Sequence, residues 1–516
     1  MIETQSNPFR YNDLHPLERW GLPLLLLLVV LTRVPFFTVE PYSWDAFNFT
    51  MGVERFSPSN DMPHFPGYFL HIGLGKLFAM LLGDAQAGLH ATSLLYSLIT
   101  ITAIFMFTRA FIAPLLKITS LRDVAAFSLS TAALAAFNPM FWHFNETELA
   151  YDGGAMIGMV TGALIILAPR IRGGWILAAG SIALFGGIRP DSAMFGLYWV
   201  LWALWNRVSL KQWLLSSIAV IVCTAAWIVP AIIAAGGIAD YFGVGGDVFS
   251  NAREMDVINA GGLLPLIRQK AIGALGWTFF TIGPGILAVF ALGNRSWKSW
   301  KTIPRQLKWI LVLWSVPPIL ISAIYFHGGH FLLAFAPCTI GVSALLWGSF
   351  SKLRSYLVAV LIVVLAGTAW FVLPILPDGR TLPYTRGRIE ANDIAMKSWR
   401  DAVTTLNPGQ NDAILFYTEE WPWRAAVRDF PNVPSYQINP MPEDQTFIVG
   451  ARLLEEFIPD EHIHDLFSLP INTQRLFVPS MTAELDRVLT DFKSFQLIQV
   501  IDVPEVGGVI SVYQKQ

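Results

Sequence analysis

The chain has 516 residues, 54% hydrophobic and only 14% charged, with mean hydropathy +0.50. Soluble domains carry roughly 25% charged residues, so this composition excludes an ordinary soluble multidomain enzyme and points to helices held in lipid. The net charge of −2 argues against nucleic-acid binding by bulk electrostatics, and Cys223 and Cys338, far apart in apolar runs, define neither a disulfide framework nor a cysteine metal site.

Residues 21–38 (GLPLLLLLVVLTRVPFFT) follow a polar tail and lack a small-x-small cleavage site, so they are expected to stay as a first transmembrane helix. Further apolar runs occur at 89–113, 123–142, 152–168, 173–188, 191–206, 212–236, 270–292, 309–326, 331–350 and 355–376, giving about eleven spans, two of them short. The stretch 66–82 is ambiguous, being apolar but interrupted by His71, Lys76, Gly and Pro. Charge decides it. With 66–82 on the outer surface, the inner loops collect Lys117 and Arg122, Arg170 and Arg172, Arg207 and Lys211, the Arg295–Lys308 group, and Lys352 and Arg354. Positive residues then lie inside at every inner loop, whereas a spanning 66–82 inverts them all. Residues 39–88 are therefore expected to form a long outer loop with two surface-lying helices.

Composition changes near Pro377. A helical pattern (ANDIAMKSWRDAVTTL) precedes alternating runs such as AILFYTE (413–419) and LIQVID (497–502), and Gly507-Gly508 signals a hairpin. The expected fold class is a polytopic α-helical membrane protein of about eleven transmembrane helices (residues 1–376) plus a small C-terminal α/β extracytoplasmic domain (377–516). No internal repeat is evident, which weighs against an inverted-repeat transporter.

Chemistry-bearing residues gather in the outer loops. Asp45 lies among aromatics in PYSWDAFNFT, ahead of DMPHFPGYF with His64 and Tyr68; it reads equally as part of an interfacial belt. His64 and His71 form a metal pair or, more simply, two interfacial histidines. The next outer loop, FWHFNETELAYDGG, clusters Glu146, Glu148 and Asp152; Asp152 opens a helix, where capping and the helix dipole also favour an acid. Such acids can also hold a divalent cation. GGIRPD places Arg189 between two short helices, either as a local partner of Asp191 or facing a cavity. FHGGHFLLAFAP puts His327 and His330 at another outer turn. Arg and His together suit a phosphate or pyrophosphate group.

The order WDAFNF, HFPGYFLHIGLGKLF, NETELAYDGG, GIRPD and GGHFLLAFAP resembles the GT-C superfamily of integral-membrane glycosyltransferases, in the branch of the protein O-mannosyltransferases and the lipid A aminoarabinose transferase. The resemblance covers roughly residues 20–350. Two departures stand out: many members carry an Asp–Glu pair where Asp45 is followed by Ala46, and His64-Phe65-Pro66 replaces a Lys- or His-Pro-Pro element. The resemblance implies transfer of a sugar from a polyprenyl-phosphate donor to a protein, lipid or glycan acceptor outside the membrane, in a bacterial inner membrane. Asp45 would act as general base, with Asp152 as a second catalytic acid. His64, Tyr68, Glu146, Glu148, Arg189, His327 and His330 would bind substrate. Two other classes remain: a transporter or flippase of lipid-linked glycans, which calls for charges at mid-membrane, and a non-catalytic scaffold using residues 377–516 to bind partners.

Overall fold

The computed structural model describes residues 14–243, 262–325, 328–373, 382–416, 423–440, 446–451, 457–463, 472–480 and 494–516, and each apolar run named above falls on a helix. Pro16–Arg33 starts at His15, whose ring accepts from the Leu17 amide while Glu18 reaches back to the His15 amide. Pro16 thus occupies the helical position where a missing N–H is harmless. Ala85–Phe107 is capped in the same spirit, Asp84 accepting from the Ala87 amide at 2.7 Å.

Among the described residues six helices are long and apolar enough to cross a membrane, and two bent pairs raise this to eight. Leu121–Ala136 and Pro139–Asn145 meet at 61°, where Asn138 caps the second helix and Pro139 opens it. Leu263–Ile282 and Gly285–Ala291 meet at 91°, at Gly283-Pro284. Of the expected runs outside these eight, Gly174–Phe185 and Phe195–Trp205 have 12 and 11 residues. At 1.5 Å per residue they rise only about 18 Å against a hydrocarbon core of about 30 Å. The third, Arg305–Tyr325, starts among Arg305 and Lys308 and contains Pro317 and Pro318. Phe69–Leu82, at 14 residues, is likewise too short to span and buries His71, Ile72 and Gly75 while exposing Leu77, Met80 and Leu81. The expectation that 66–82 does not span agrees with this length.

The described residues form two compact units. The first draws on Met1–Phe37, Tyr68–Val229 and Val257–Arg388, the second on Thr38–Gly67, Pro230–Asp256 and Ile389–Gln516. Within the first, polar side chains join helices in place of any hydrophobic drive between them. Trp314 donates to the Gly158 carbonyl at 2.9 Å, and Thr131, Ser343 and Tyr356 share hydroxyl bonds of 2.6 and 3.0 Å.

The second unit contains a seven-stranded sheet: β1 (Asp412–Phe416), β2 (Ser435–Pro440), β3 (Thr446–Ala451), β4 (Phe457–Ile463), β5 (Arg475–Ser480), β6 (Phe495–Val503) and β7 (Gly508–Lys515). Their order is β4-β3-β2-β1-β5-β7-β6, with β1 parallel to β2 and β5 and every other pair antiparallel. The expected hairpin joins β6 and β7 through Gly507, at φ 66°. Met396, Trp399 and Val403, spaced along one face of Arg386–Thr405, pack with Ile414, Phe477, Ile510 and Val512. Phe47, Met51 and Met62 belong to the same core. The first-loop segment that carries Asp45 and His64 is therefore part of the sheet unit, although more than 300 residues separate it from β1.

Candidate functional site

In the helical unit, the turn after Gly174–Phe185 brings Arg189 to Asp191, and the turn before Phe335–Ser349 brings in His330. Arg189 donates to Asp191 Oδ2 through Nη2 at 2.7 Å and Nε at 3.2 Å. His330 Nδ1 lies 2.6 Å from the same oxygen. An ionised carboxylate only accepts, so Nδ1 is the donor there. The 3.2 Å between Nδ1 and Arg189 Nη2 is then two donors converging on one acceptor. Tyr151 completes the group: the Arg189 guanidinium lies 4.3 Å over its ring, and the His330 ring meets it edge-on at 5.6 Å. Gly329 makes this approach possible, since a Cβ there would stand 2.2 Å from the Tyr151 ring. Burial alone would lower the Arg189 guanidinium, but Asp191, with Tyr68 and Tyr151, holds it above its ordinary value. Arg189 is 3% exposed, so it is a cation kept charged in a buried setting.

The local partnership of Arg189 with Asp191 is thus present, and it is part of something larger. Two members, Asp191 as the bridging acid and Tyr151 as the ring beneath the guanidinium, were not singled out in the sequence as binding residues. The Arg-Pro-Asp spacing and the Tyr beside Asp152 were the available signals. Tyr68, half-buried with a left-handed backbone (φ 42°), precedes Phe69–Leu82 and is among the groups acting on Arg189. His327 lies outside the described residues.

The second acidic loop turns inward. Asp152, Glu146 and Glu148 are each 0% exposed. Asp152 accepts from the Gly153 amide at 2.8 Å and from Asn145 at 3.3 Å. Glu146 accepts from Trp142 Nε1 at 2.8 Å, and the Arg33 guanidinium lies 3.8 Å from the Trp142 ring. Glu148 accepts from Gln86 at 2.5 Å and pairs with His90 at 3.1 Å, while its carbonyl faces His71 Nε2 at 3.3 Å. These contacts tie the loop to Ala85–Phe107, a structural duty beside any role in binding. His71 is fully buried, 3.4 Å from the Tyr96 hydroxyl. Among the described residues no group of three or more His, Cys, Asp or Glu is arranged to hold a metal ion.

In the sheet unit, Asp45 sits in the first turn of Trp44–Glu54, its side chain 35% exposed and its Oδ1 3.6 Å from His64 Nδ1. That distance is an ion-pair contact when His64 is protonated, and too long for a hydrogen bond. The His64 ring lies between Trp44 and Phe49, each 5.5 Å away by ring centres. An accessible carboxylate beside a caged imidazole can accept a proton from a hydroxyl group.

Compared with solved structures, the chain is similar to ArnT from Cupriavidus metallidurans in the apo state and to the same protein bound to undecaprenyl phosphate. Both matches have a TM-score of 0.56 at 12% identity over 95% of this chain, and cover 98% and 97% of the ArnT chain. ArnT is a lipid A aminoarabinose transferase of the GT-C class. No family model matches this chain, and neither does any curated protein. The fold class expected from the sequence, a membrane helical bundle with a small C-terminal sheet, is met.

Proposed function

We propose that the protein is an integral-membrane glycosyltransferase that moves a sugar from a polyprenyl-phosphate carrier to an acceptor on the extracytoplasmic face. The observation that carries this reading is the buried Arg189–Asp191–His330 group, set in a chain that shares its fold with a protein whose structure holds undecaprenyl phosphate. Two of the Arg189 donors are committed to Asp191, which leaves Nη1 to meet phosphate oxygens. Asp191 fixes both side chains.

In the reaction, the acceptor hydroxyl oxygen attacks the anomeric carbon as the bond from that carbon to the phosphate oxygen breaks. The electron pair of the broken bond leaves with the phosphate, whose charge Arg189 and His330 stabilise. Asp45 takes the hydroxyl proton as general base. A single displacement of this kind inverts the anomeric carbon. The donor must be lipid-linked because nucleotide sugars are cytosolic and this chemistry is assigned to the other face.

Mass spectrometry of lipids and surface glycans from a deletion strain tests the reading. Loss of one sugar from a glycan or lipid, together with accumulation of its polyprenyl-phosphate form, is expected. An unchanged glycan and lipid profile overturns it.

A further inference from the structure

One buried guanidinium grips both elements of the Asp45–His64 pair. Arg424, in the short helix Trp423–Asp429 of the sheet unit, is 1% exposed. Its Nε donates to Asn48 Oδ1 at 2.5 Å, and its Nη2 donates to the Asn60 carbonyl at 2.8 Å. Asn48 lies one turn beyond Asp45 in Trp44–Glu54. Asn60 closes the turn Pro58–Asn60, four residues before His64. The two elements also touch directly: a Cβ on Gly52 would come within 2.8 Å of Pro63. Burial pushes the Arg424 guanidinium down to about 10, with Asp61 opposing. A buried cation is a costly way to fill a core. What it supplies, and an apolar side chain cannot, is a planar fork that fixes one segment against another.

We infer that Arg424 is the positioning residue that sets Asp45 against His64, which makes the C-terminal sheet unit a working part of the transferase rather than an appendage. The inference rests on the transferase reading above. Arg424 touches no reacting atom in it; it acts through the helix that bears Asp45 and the turn that leads to His64.

Full-length protein in nanodiscs tests this. Arg424→Lys keeps the charge beside Asp61, but an ammonium cannot present two fixed donors. Displacements near 1 Å can cost about 100-fold in rate, so turnover should fall roughly 10- to 100-fold with donor affinity unchanged. In a His64→Ala background the same substitution should cost much less, because the geometry it protects is already lost. A purely structural role predicts additive losses. Hydrogen exchange gives a readout free of activity: peptides within 38–67 should exchange faster in Arg424→Lys, and also in Asn48→Leu if Arg424→Lys does not fold. They should be unchanged in Arg475→Lys, which loosens the Asp412 pair (2.7 Å) and the bonds to the Leu406 and Asn407 carbonyls, none of them in 38–67. Unchanged exchange across 38–67, or additive rate losses, overturns the inference. A wild-type rate in Asp45→Asn would instead remove the catalytic reading, while the exchange result would still decide whether Arg424 holds the segment.

Discussion

Asp191 Oδ2 lies 2.6 Å from His330 Nδ1 although the two residues stand 139 positions apart. The contact closes a turn from the middle of the chain onto one just before Phe335–Ser349, and it places an imidazole beside the Arg189 guanidinium. A guanidinium and an imidazole bridged by one carboxylate form a site in which the guanidinium charge stays compensated when no phosphate is bound.

Removing Arg189 should therefore weaken donor binding. Hydrogen bonds to charged groups contribute about 1.5–3 kcal/mol, so Arg189→Ala should raise the Kd of a short-chain polyprenyl phosphate roughly 10- to 100-fold. Arg189→Lys should lose less, since charge survives and the fork does not. Calorimetric titration of both variants checks the order; equal Kd in wild type and Arg189→Ala removes Arg189 from the phosphate site.

Gly329→Ala makes a separate test of the same site. The added methyl meets the Tyr151 ring and must displace it. Overpacking typically costs about 1–3 kcal/mol, so a lower melting temperature and weaker donor binding are expected together. A melting temperature and Kd at wild-type values would show that the approach of Gly329 to Tyr151 is not required.

In the sheet unit, burial raises Glu40 above its ordinary carboxylate value, with Arg400 opposing from 2.6 Å, and burial raises Asp429, with Arg428 and Arg400 opposing. A carboxyl whose folded value is raised binds its proton more tightly folded than unfolded. Its contribution to stability therefore declines as pH rises from the free value, about 4, through the folded one. Relative to the Glu40→Gln/Asp429→Asn double variant, the wild type should lose melting temperature as pH rises from about 4 to neutral. A constant difference across that range contradicts the shifts.

Sidedness follows from the basic residues of the loops. With Cys223 and Cys338 replaced by Ser, Glu54→Cys and Gln516→Cys should react with an impermeant maleimide on intact cells, and Lys301→Cys should not. Labelling at all three positions refutes the arrangement.

Most of the helical architecture was legible in the sequence because lipid demands it: a backbone that crosses a membrane must satisfy its own hydrogen bonds, so spans appear as long apolar runs. That Phe69–Leu82 is not one of the long spans was legible through charge in distant loops. The bends at Asn138-Pro139 and Gly283-Pro284 were less so, since Pro also occurs inside Leu210–Ala234 and Gly inside Tyr151–Leu167. Arg189 was visible as a charge between short apolar helices. Its link to His330 was not, because nothing local couples positions 141 residues apart. The same holds for Arg424 and Asn48, separated by 376 residues, and for Phe47, Met51 and Met62, whose apolar spacing suits a lipid surface as well as the sheet core they enter. Glu148 was read as an acid on an outer turn; its inward course is dictated by Gln86 and His90 on a helix that hydropathy shows only as apolar.

The most direct measurement is sugar transfer by the purified protein from a synthetic short-chain polyprenyl-phosphate sugar, comparing wild type with Asp45→Asn. The amide keeps the shape of the carboxylate and cannot take a proton. General-base contributions are typically about 10²–10⁴-fold, so turnover should fall by that much while donor Kd and melting temperature stay at wild-type values. Transfer by Asp45→Asn at the wild-type rate would contradict Asp45 as the base, and no transfer by wild type, with the lipid-linked sugar moved across the bilayer instead, would contradict the transferase itself.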